Sequence, residues 1–397
     1  MRQSRWLLFV GPILVMAGLL LSVVGSPMLV RFPNDTNQTM HYSGTATVYD
    51  SPSTLAPMST PLTVPLSIAR TVKVVKAGFS TSVIDETIHL TFAGQTQVET
   101  YQYVMNRRSM QLLDDPDTIA FGRTGSPMST DGSYRINFPL STTDKDYPAW
   151  APETNSTITV TPTGPAHRDP TSGYQVITFD TALNHPVAPY YLAHLESEGL
   201  PASLPAATLA AELETRGASV SAVLSELSPH VTSAQLATVA ALKAPLPITY
   251  AYVERGQIAV EPKTGAVLIG GSSLEGVAMT IAVPPALAGI LAAHASLPAV
   301  HTLESVLAGQ HPVLMMTYHE QPASIRSVAA TAHRLAEQVS LIEWQLPLGV
   351  VVLGVAVALL GLGLGRRRSR ATVSPLPAPR PGAPEVPRAD VELPKGA

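Results

Sequence analysis

The sequence predicts an α+β membrane protein: a β-rich antiparallel ectodomain, built as a sheet or open barrel with a small helical cap and flanked by two transmembrane helices. Three observations carry this reading. Uncharged apolar runs stand near both ends of the chain. Segments of period two, rich in Val, Ile, Thr and Tyr, fill much of the middle, and a stretch of helical period interrupts them. Only 14% of the 397 residues are charged while 45% are hydrophobic, and the mean hydropathy is positive, which is unusual for a soluble chain of this size.

Residues 1–5 form a short N terminus carrying Arg2 and Arg5. Residues 6–30 then run from Trp6 to Val30 without a charge. A helix rises about 1.5 Å per residue, so roughly 20 apolar residues cross a hydrocarbon core. A cleavable signal peptide has an apolar region of about 7–15 residues. This run is longer, so it reads as a retained anchor, although Gly25-Ser26 offers a site for cleavage. The second span covers residues 344–365 and is followed at once by Arg366, Arg367, Arg368 and Arg370. Basic residues stay on the cytoplasmic side. Both ends therefore point to a two-pass protein of the plasma membrane, with residues 1–5 and 366–397 cytoplasmic and residues 31–343 outside. The tail beyond Arg370 is proline-rich, with too few apolar residues to build a core, and is expected to be disordered.

Between the spans lie 16 basic and 26 acidic residues, a net charge of about −10. An acidic surface does not neutralise phosphates, so no nucleic-acid partner is expected. The absence of cysteine excludes disulfides, thiolate metal sites and cysteine nucleophiles.

Within the ectodomain, residues 31–185 read as strands: MHYSGTATVYD, SIARTVKVVKA, STSVIDETIHLTF, QVETYQYVMNR, STITVTP and YQVITFD are separated by Pro, Gly, Asp and Ser clusters. Residues 186–245 change to helical period. Pro189 suits a first helical position, Gly217 a C-terminal cap, and Thr232 with Gln235 a capping box. Residues 246–320 mix strands and helices, with a tight hairpin expected at Arg255-Gly256, a turn at Lys263-Thr264-Gly265 and a separate strand at LEGVAMTIAV. Residues 321–343 form an amphipathic helix, with Ile325, Val328, Ala332, Leu335, Val339 and Ile342 at steps of three and four.

No catalytic signature is present. GGSSLEG, residues 270–276, lacks the spacing of a nucleophile elbow, and no phosphate-cradling glycine loop occurs. The eleven histidines form no metal-ligand pattern. Asp114, Asp115 and Asp117 in LLDDPDTIAFG read as turn chemistry, with a short hairpin bringing Asn106, Arg107 and Arg108 near them. The expectation is a protein that is not an enzyme, with no catalytic, cofactor or metal residues. In the second span Gly361 and Gly365 stand at the small-xxx-small spacing that lets helices approach closely, marking a candidate contact for a membrane-protein partner.

The stretches RFPNDTNQTMHYSGTATVYD, YVMNRRSMQLLDDPDTIAFG, SYRINFPLSTTDKDYPAW, APYYLAHLESEGLP and LPITYAYVERGQIAVEPKTGAV, in this order between two anchors, resemble actinobacterial membrane proteins of the porin PorA family. The resemblance spans nearly the whole membrane-bounded region. It implies a cell-envelope protein connected with lipoglycan maturation, and it carries over no catalytic residue. Together with the topology it sets the functional expectation: a non-catalytic factor that binds or passes a lipid or glycolipid through an apolar cavity opening toward the bilayer. The alternative is a scaffold for a membrane glycosyltransferase, followed by an enzyme with an unrecognised site and then a channel.

Overall fold

The structure is a computed structural model that describes residues 2–22, 31–50, 57–115, 119–120, 123–124, 130 and 132–371. The chain divides into two compact units, residues 27–341 and residues 1–26 with 342–397. Helix α1 (Arg2–Leu20) belongs to the second unit.

The larger unit is organised by one antiparallel sheet of 15 strands among the described residues. Its first half contains β1 (Asn37–Asp50), β2 (Pro57–Ala77), β3 (Thr81–Phe92) and β4 (Gln95–Asn106), with short strands β5 (Leu112–Leu113), β6 (Ile119–Ala120) and β7 (Arg123–Thr124). Then come β8 (Tyr147–Ala151), β9 (Ser156–Pro162), β10 (His167–Arg168) and β11 (Gln175–Pro186). A helical stretch follows: α2 (Pro189–Ser197), the short β12 (Ser203–Leu204), α3 (Ala206–Thr215), α4 (Val220–Leu227) and α5 (Ser233–Ala240). Strands β13 (Leu246–Val260) and β14 (Val267–Ile281), helices α6 (Pro285–Ala293) and α7 (Pro298–Ala308), strand β15 (Gln310–Glu320) and helix α8 (Pro322–Ser340) complete the unit. The sheet runs β7-β6-β4-β3-β2-β1-β15-β14-β13-β11-β9-β8. The joint between its halves is β1 against β15, where Tyr42 pairs with Glu320 and Val48 with Leu314.

Alternation decides which face is which. On β3, Ile84, Glu86 and Leu90 are buried while Asp85, Thr87 and His89 on the opposite parity are not. The other face is rich in threonine, and cross-strand pairs Thr39–Thr71, Thr47–Thr63 and Thr91–Thr96 meet at 2.9–3.0 Å through their hydroxyls. The inward face joins the helices in one core that includes Ile84, Phe138, Phe179, Leu213, Val223 and Leu303.

Local sequence signals account for several boundaries. Pro189 opens α2, Gly217 (φ 77°) follows α3, and Thr232 and Gln235 form the capping box of α5. Helix α8 buries Ile325, Val328, Ala332 and Val339 on one stripe. It is pinned to β1 by His41, whose N–H donates to Ser324 Oγ at 2.8 Å and whose carbonyl accepts from the Gln321 N–H at 2.8 Å.

Two sequence expectations are corrected here. Arg255-Gly256 is not a hairpin: both residues lie inside β13, where Arg255 pairs with Leu274 and Gly256 with Ser272 across a bulge. Glycine is needed because a Cβ at 256 would sit 2.5 Å from the Gly271 carbonyl oxygen. LEGVAMTIAV is likewise not a strand of its own but the second half of β14. The turn joining β13 to β14 is the expected Lys263-Thr264-Gly265, with Gly265 at φ 71°.

In the smaller unit, α1 packs antiparallel on α9 (Leu346–Ala371). A Cβ built on Gly11 would lie 2.7 Å from the Gly354 carbonyl oxygen, and one on Gly18 would lie 2.9 Å from that of Pro347. Gly361, expected at a helix contact, is buried on α9, while the side-chain surroundings of Gly365 lie outside the described residues. The side chains of Arg2, Arg5, Arg366, Arg367, Arg368 and Arg370 also lie outside them. Among the described residues one helix, Pro322–Leu364, is long and apolar enough to cross a membrane, and the N-terminal apolar helix is the shorter Phe9–Leu20.

Candidate functional site

The inward face of the sheet is not purely apolar. At positions whose parity sends a side chain into the core, β2, β3, β4, β13, β14 and β15 place Arg70, Glu86, Glu99, Glu254, Glu275 and Glu320. Burying such groups costs several kcal/mol each unless they are paired or neutralised. The structure does both, in two adjoining clusters.

In the first, Glu86 is fully buried and accepts four hydrogen bonds: from Arg70 Nε at 2.8 Å, from Arg135 Nη2 at 3.0 Å and Nε at 3.3 Å, and from the Tyr103 hydroxyl at 2.9 Å. Register explains the meeting. Val72 stands opposite Glu86, so Arg70 is its diagonal neighbour on the same face. Arg135 comes from the segment between Tyr134, which bridges to Ala149, and Asn137, which bridges to Ala266. Burial alone would push the Glu86 carboxyl up. Arg135 and Arg70, with their hydrogen bonds and that of Tyr103, overcome it and bring Glu86 down to about 2.

The second cluster is built of carboxyls without enough cations. Glu99 accepts from the Tyr101 hydroxyl at 3.2 Å and the Tyr191 hydroxyl at 3.4 Å. Burial first, then the charges of Glu153 and Glu275, push it up to about 8. Glu275 accepts from the hydroxyls of Tyr252 and Tyr318, and burial followed by Glu254 raises it to about 7. Glu153 lies 3.9 Å from Arg135, yet burial dominates and lifts it to about 7. Glu254 accepts from Thr181 Oγ1 at 2.9 Å. The rings of Tyr191 and Tyr252 meet edge-on at 5.8 Å, so helix α2 reaches the sheet through an aromatic bridge.

Between the clusters is a chamber of about 170 Å³, walled by Arg70, Arg135, Glu99, Glu275, Tyr191 and Trp150 among others. Trp150 is 2% exposed and its indole Nε1 has no hydrogen-bond partner. Near pH 7 the chamber presents a mainly protonated Glu99 carboxyl, further carboxyls, tyrosine hydroxyls, an indole N–H and guanidinium groups: a dense set of hydrogen-bond donors and acceptors. These groups share the wall with apolar side chains such as Ile68, Leu90, Phe138 and Val160, because the inward parity of six strands carries charged residues among the aliphatic ones, so the expected apolar cavity is met by a mixed one. Among the described residues no group of three or more His, Asp or Glu is placed to hold a metal ion.

The residues singled out from sequence lie elsewhere. Asp114 accepts from the Thr130 N–H at 2.7 Å, a contact across 16 residues rather than within a turn, and Asp117 lies outside the described residues. The β4–β5 hairpin forms, with Val104 opposite Leu113. Arg107, however, donates to the Phe32 carbonyl at 2.7 Å and the Gly78 carbonyl at 2.8 Å, which ties the start of the domain to the β2–β3 turn. The chamber residues were missed although parity marks some of them. Glu86 falls between Ile84 and Ile88, and Glu99 shares a parity with Tyr101, Tyr103 and Met105. A glutamate on the inward parity of a strand is the signal.

Comparison with known proteins gives one family. The family model described as Porin PorA matches residues 3–363. No curated protein matches the chain.

Proposed function

The chain belongs to the porin PorA family, and we propose that it is a cell-envelope membrane protein whose extracytoplasmic domain binds a lipid or glycolipid, or passes one on, without catalysing a reaction. The observation that carries the reading is the chamber. Its carboxyls, tyrosine hydroxyls and indole suit the hydroxyl-rich head of a glycolipid, which both donates and accepts hydrogen bonds. The outward positions of β1, with Thr39, His41 and Thr45 exposed, suit water rather than the apolar band of a membrane barrel. Attachment to the bilayer then falls to the apolar helices. The antiparallel packing of α1 on α9 supports a two-pass arrangement with both termini on one side, and the arginines that flank the two spans favour the cytoplasmic side.

The test is mass spectrometry of the lipids retained by the full chain purified in mild detergent, beside Glu99→Gln and Tyr191→Phe variants. A defined lipid or glycolipid is expected with the parent and in reduced amount with the variants. A parent that carries only the bulk lipids of its host, in unchanged proportion, sinks the proposal.

Acid–base catalysis on the same ligand is the second reading. It is favoured by one observation: Glu99 and Glu275, pushed up to about 8 and 7, sit where a general acid operates at neutral pH. Turnover of the retained lipid by the parent but not by Glu99→Gln separates this reading from simple binding.

A further inference from the structure

A second cavity lies on the other side of Arg70. It is a groove of about 730 Å³ between the segment 31–40, the Arg70–Val72 end of β2, residues 136–137, the start of β14 and the face of α8 that carries Thr331, Arg334 and Gln338. Arg70 and Val267 line both cavities, so they form the wall between them.

The groove's charge runs against that of its domain. The domain carries a net charge of about −10, yet the groove is lined by Arg31, Arg70 and Arg334 and by one acid, Asp35. Two lining groups are short of partners: Gln38 Nε2 and Arg70 Nη2 are shut away from solvent with no hydrogen bond. Buried donors rarely go unpaired, since each forfeits on the order of 1–3 kcal/mol. The ion balance behind Arg70 points the same way. Glu86 is one carboxylate shared between two guanidiniums, and the nearest further acid to Arg135, Glu153, is 3.9 Å away and pushed up to about 7. The Arg70–Glu86–Arg135 group thus has a surplus of positive charge, with an unsatisfied N–H on Arg70.

We propose that this groove is a binding site for a phosphate-bearing anion, seated on Arg70 and Gln38 with Arg31 and Arg334 at its sides. Guanidinium groups match phosphate oxygens in geometry and charge. The groove is larger than a lone phosphate needs and falls within the range of about 300–1,000 Å³ typical of organic ligands. Phe32, Val72, Val328 and Leu335 add apolar wall. The lining segments also abut the two apolar spans in sequence: residue 31 follows the first, and Gln338 precedes the second by six residues. The anion is accordingly the headgroup of a phospholipid. The assignment stands independently of what occupies the chamber.

The experiment uses the full chain in a neutral detergent, titrated calorimetrically with dihexanoylphosphatidylglycerol, dihexanoylphosphatidylcholine and inorganic phosphate, at low and high salt. Phosphatidylglycerol is expected to bind about tenfold tighter than phosphatidylcholine and to weaken as salt rises. Arg334→Gln, at an exposed position, and Gln38→Leu, which replaces an unsatisfied amide, should each weaken phosphatidylglycerol severalfold while leaving the unfolding temperature within a few degrees. Inorganic phosphate binding as tightly as phosphatidylglycerol, with the same variant effects, keeps the anion site and assigns it to the free ion. Equal affinity for the two lipids, no binding of any probe, or variants that bind like the parent overturns the proposal. Because the lipid is added from outside, failure here is distinct from failure to find a glycolipid retained in the chamber.

Discussion

Glu254 and Glu275 stand directly opposite each other across the β13–β14 ladder, two carboxyls on neighbouring strands of one sheet. Like charges at such a pair repel. The sheet tolerates them because Glu275, raised to about 7 by burial and by Glu254, keeps its proton over most of the acidic range and takes hydrogen bonds from Tyr252 and Tyr318. A pH dependence follows. Glu99, Glu153, Glu275 and Glu320 all have folded values of about 7 to 8, above their ordinary 4.5. The folded state therefore holds protons that the unfolded chain releases. Their stabilisation is complete below about pH 4.5 and is lost as pH rises through 7 to 8. Denaturant unfolding should show stability falling from pH 5 to pH 8.5. Glu275→Gln should flatten that slope and gain about 1 kcal/mol at pH 8.5, after discounting for a carboxyl that is only half-buried. A flat profile in the parent contradicts the cluster.

Glu86 has the opposite sign. Held down to about 2, it stabilises the fold above its ordinary 4.5, and that contribution is lost only as pH falls toward 2. Glu86→Gln leaves Arg70 and Arg135 buried without their shared carboxylate. Removing one partner of a buried ion group costs about 3–5 kcal/mol. The variant should unfold at clearly lower denaturant at pH 7, whereas at pH 2 the gap to the parent should narrow. An unchanged midpoint at pH 7 contradicts the pairing.

The two-pass reading is open to a direct test because the chain lacks cysteine. Ser233→Cys lies at an exposed position at the start of α5, and Ser369→Cys lies among the arginines that follow the second span. A membrane-impermeant maleimide applied to intact cells should label the first and spare the second until the cells are opened. Labelling of Ser369→Cys in intact cells reverses the orientation.

Much of the architecture could be read from sequence because it rests on local rules. The capping box at Thr232–Gln235, the turn at Gly265 and the stripe on α8 each depend on residues a few positions apart. What escaped depends on neighbours distant in sequence. Arg255-Gly256 reads as a turn until β11 on one side and β14 on the other claim the backbone of β13. The chamber escaped for the same reason: Glu99 and Glu275 are 176 positions apart in the chain, and only the β1–β15 joint brings their halves of the sheet together. Arg135 was passed over because its role is set by Glu86 on another strand.

The contact between α1 and α9 provides the last prediction. Gly11 and Gly18 are seven residues apart, as are Pro347, Gly354 and Gly361, so each helix turns one recurring face to its partner. A Cβ on Gly354 would meet the Gly11 carbonyl oxygen at 2.7 Å and the Val15 amide nitrogen at 2.8 Å, whereas Gly363 has nothing within 4 Å. Backbone atoms cannot rotate away as side chains can, so a larger residue at 354 must separate the helices. Small residues at such crossings permit the close packing that holds helices together in lipid, where water gives no drive to associate. A pair of cysteines at Val15 and Val351, on the packed faces, should cross-link on oxidation in the otherwise parental chain. Gly354→Val should reduce the cross-linked fraction several-fold, and Gly363→Val should leave it unchanged. Equal cross-linking in both variants means that the helices meet on another face.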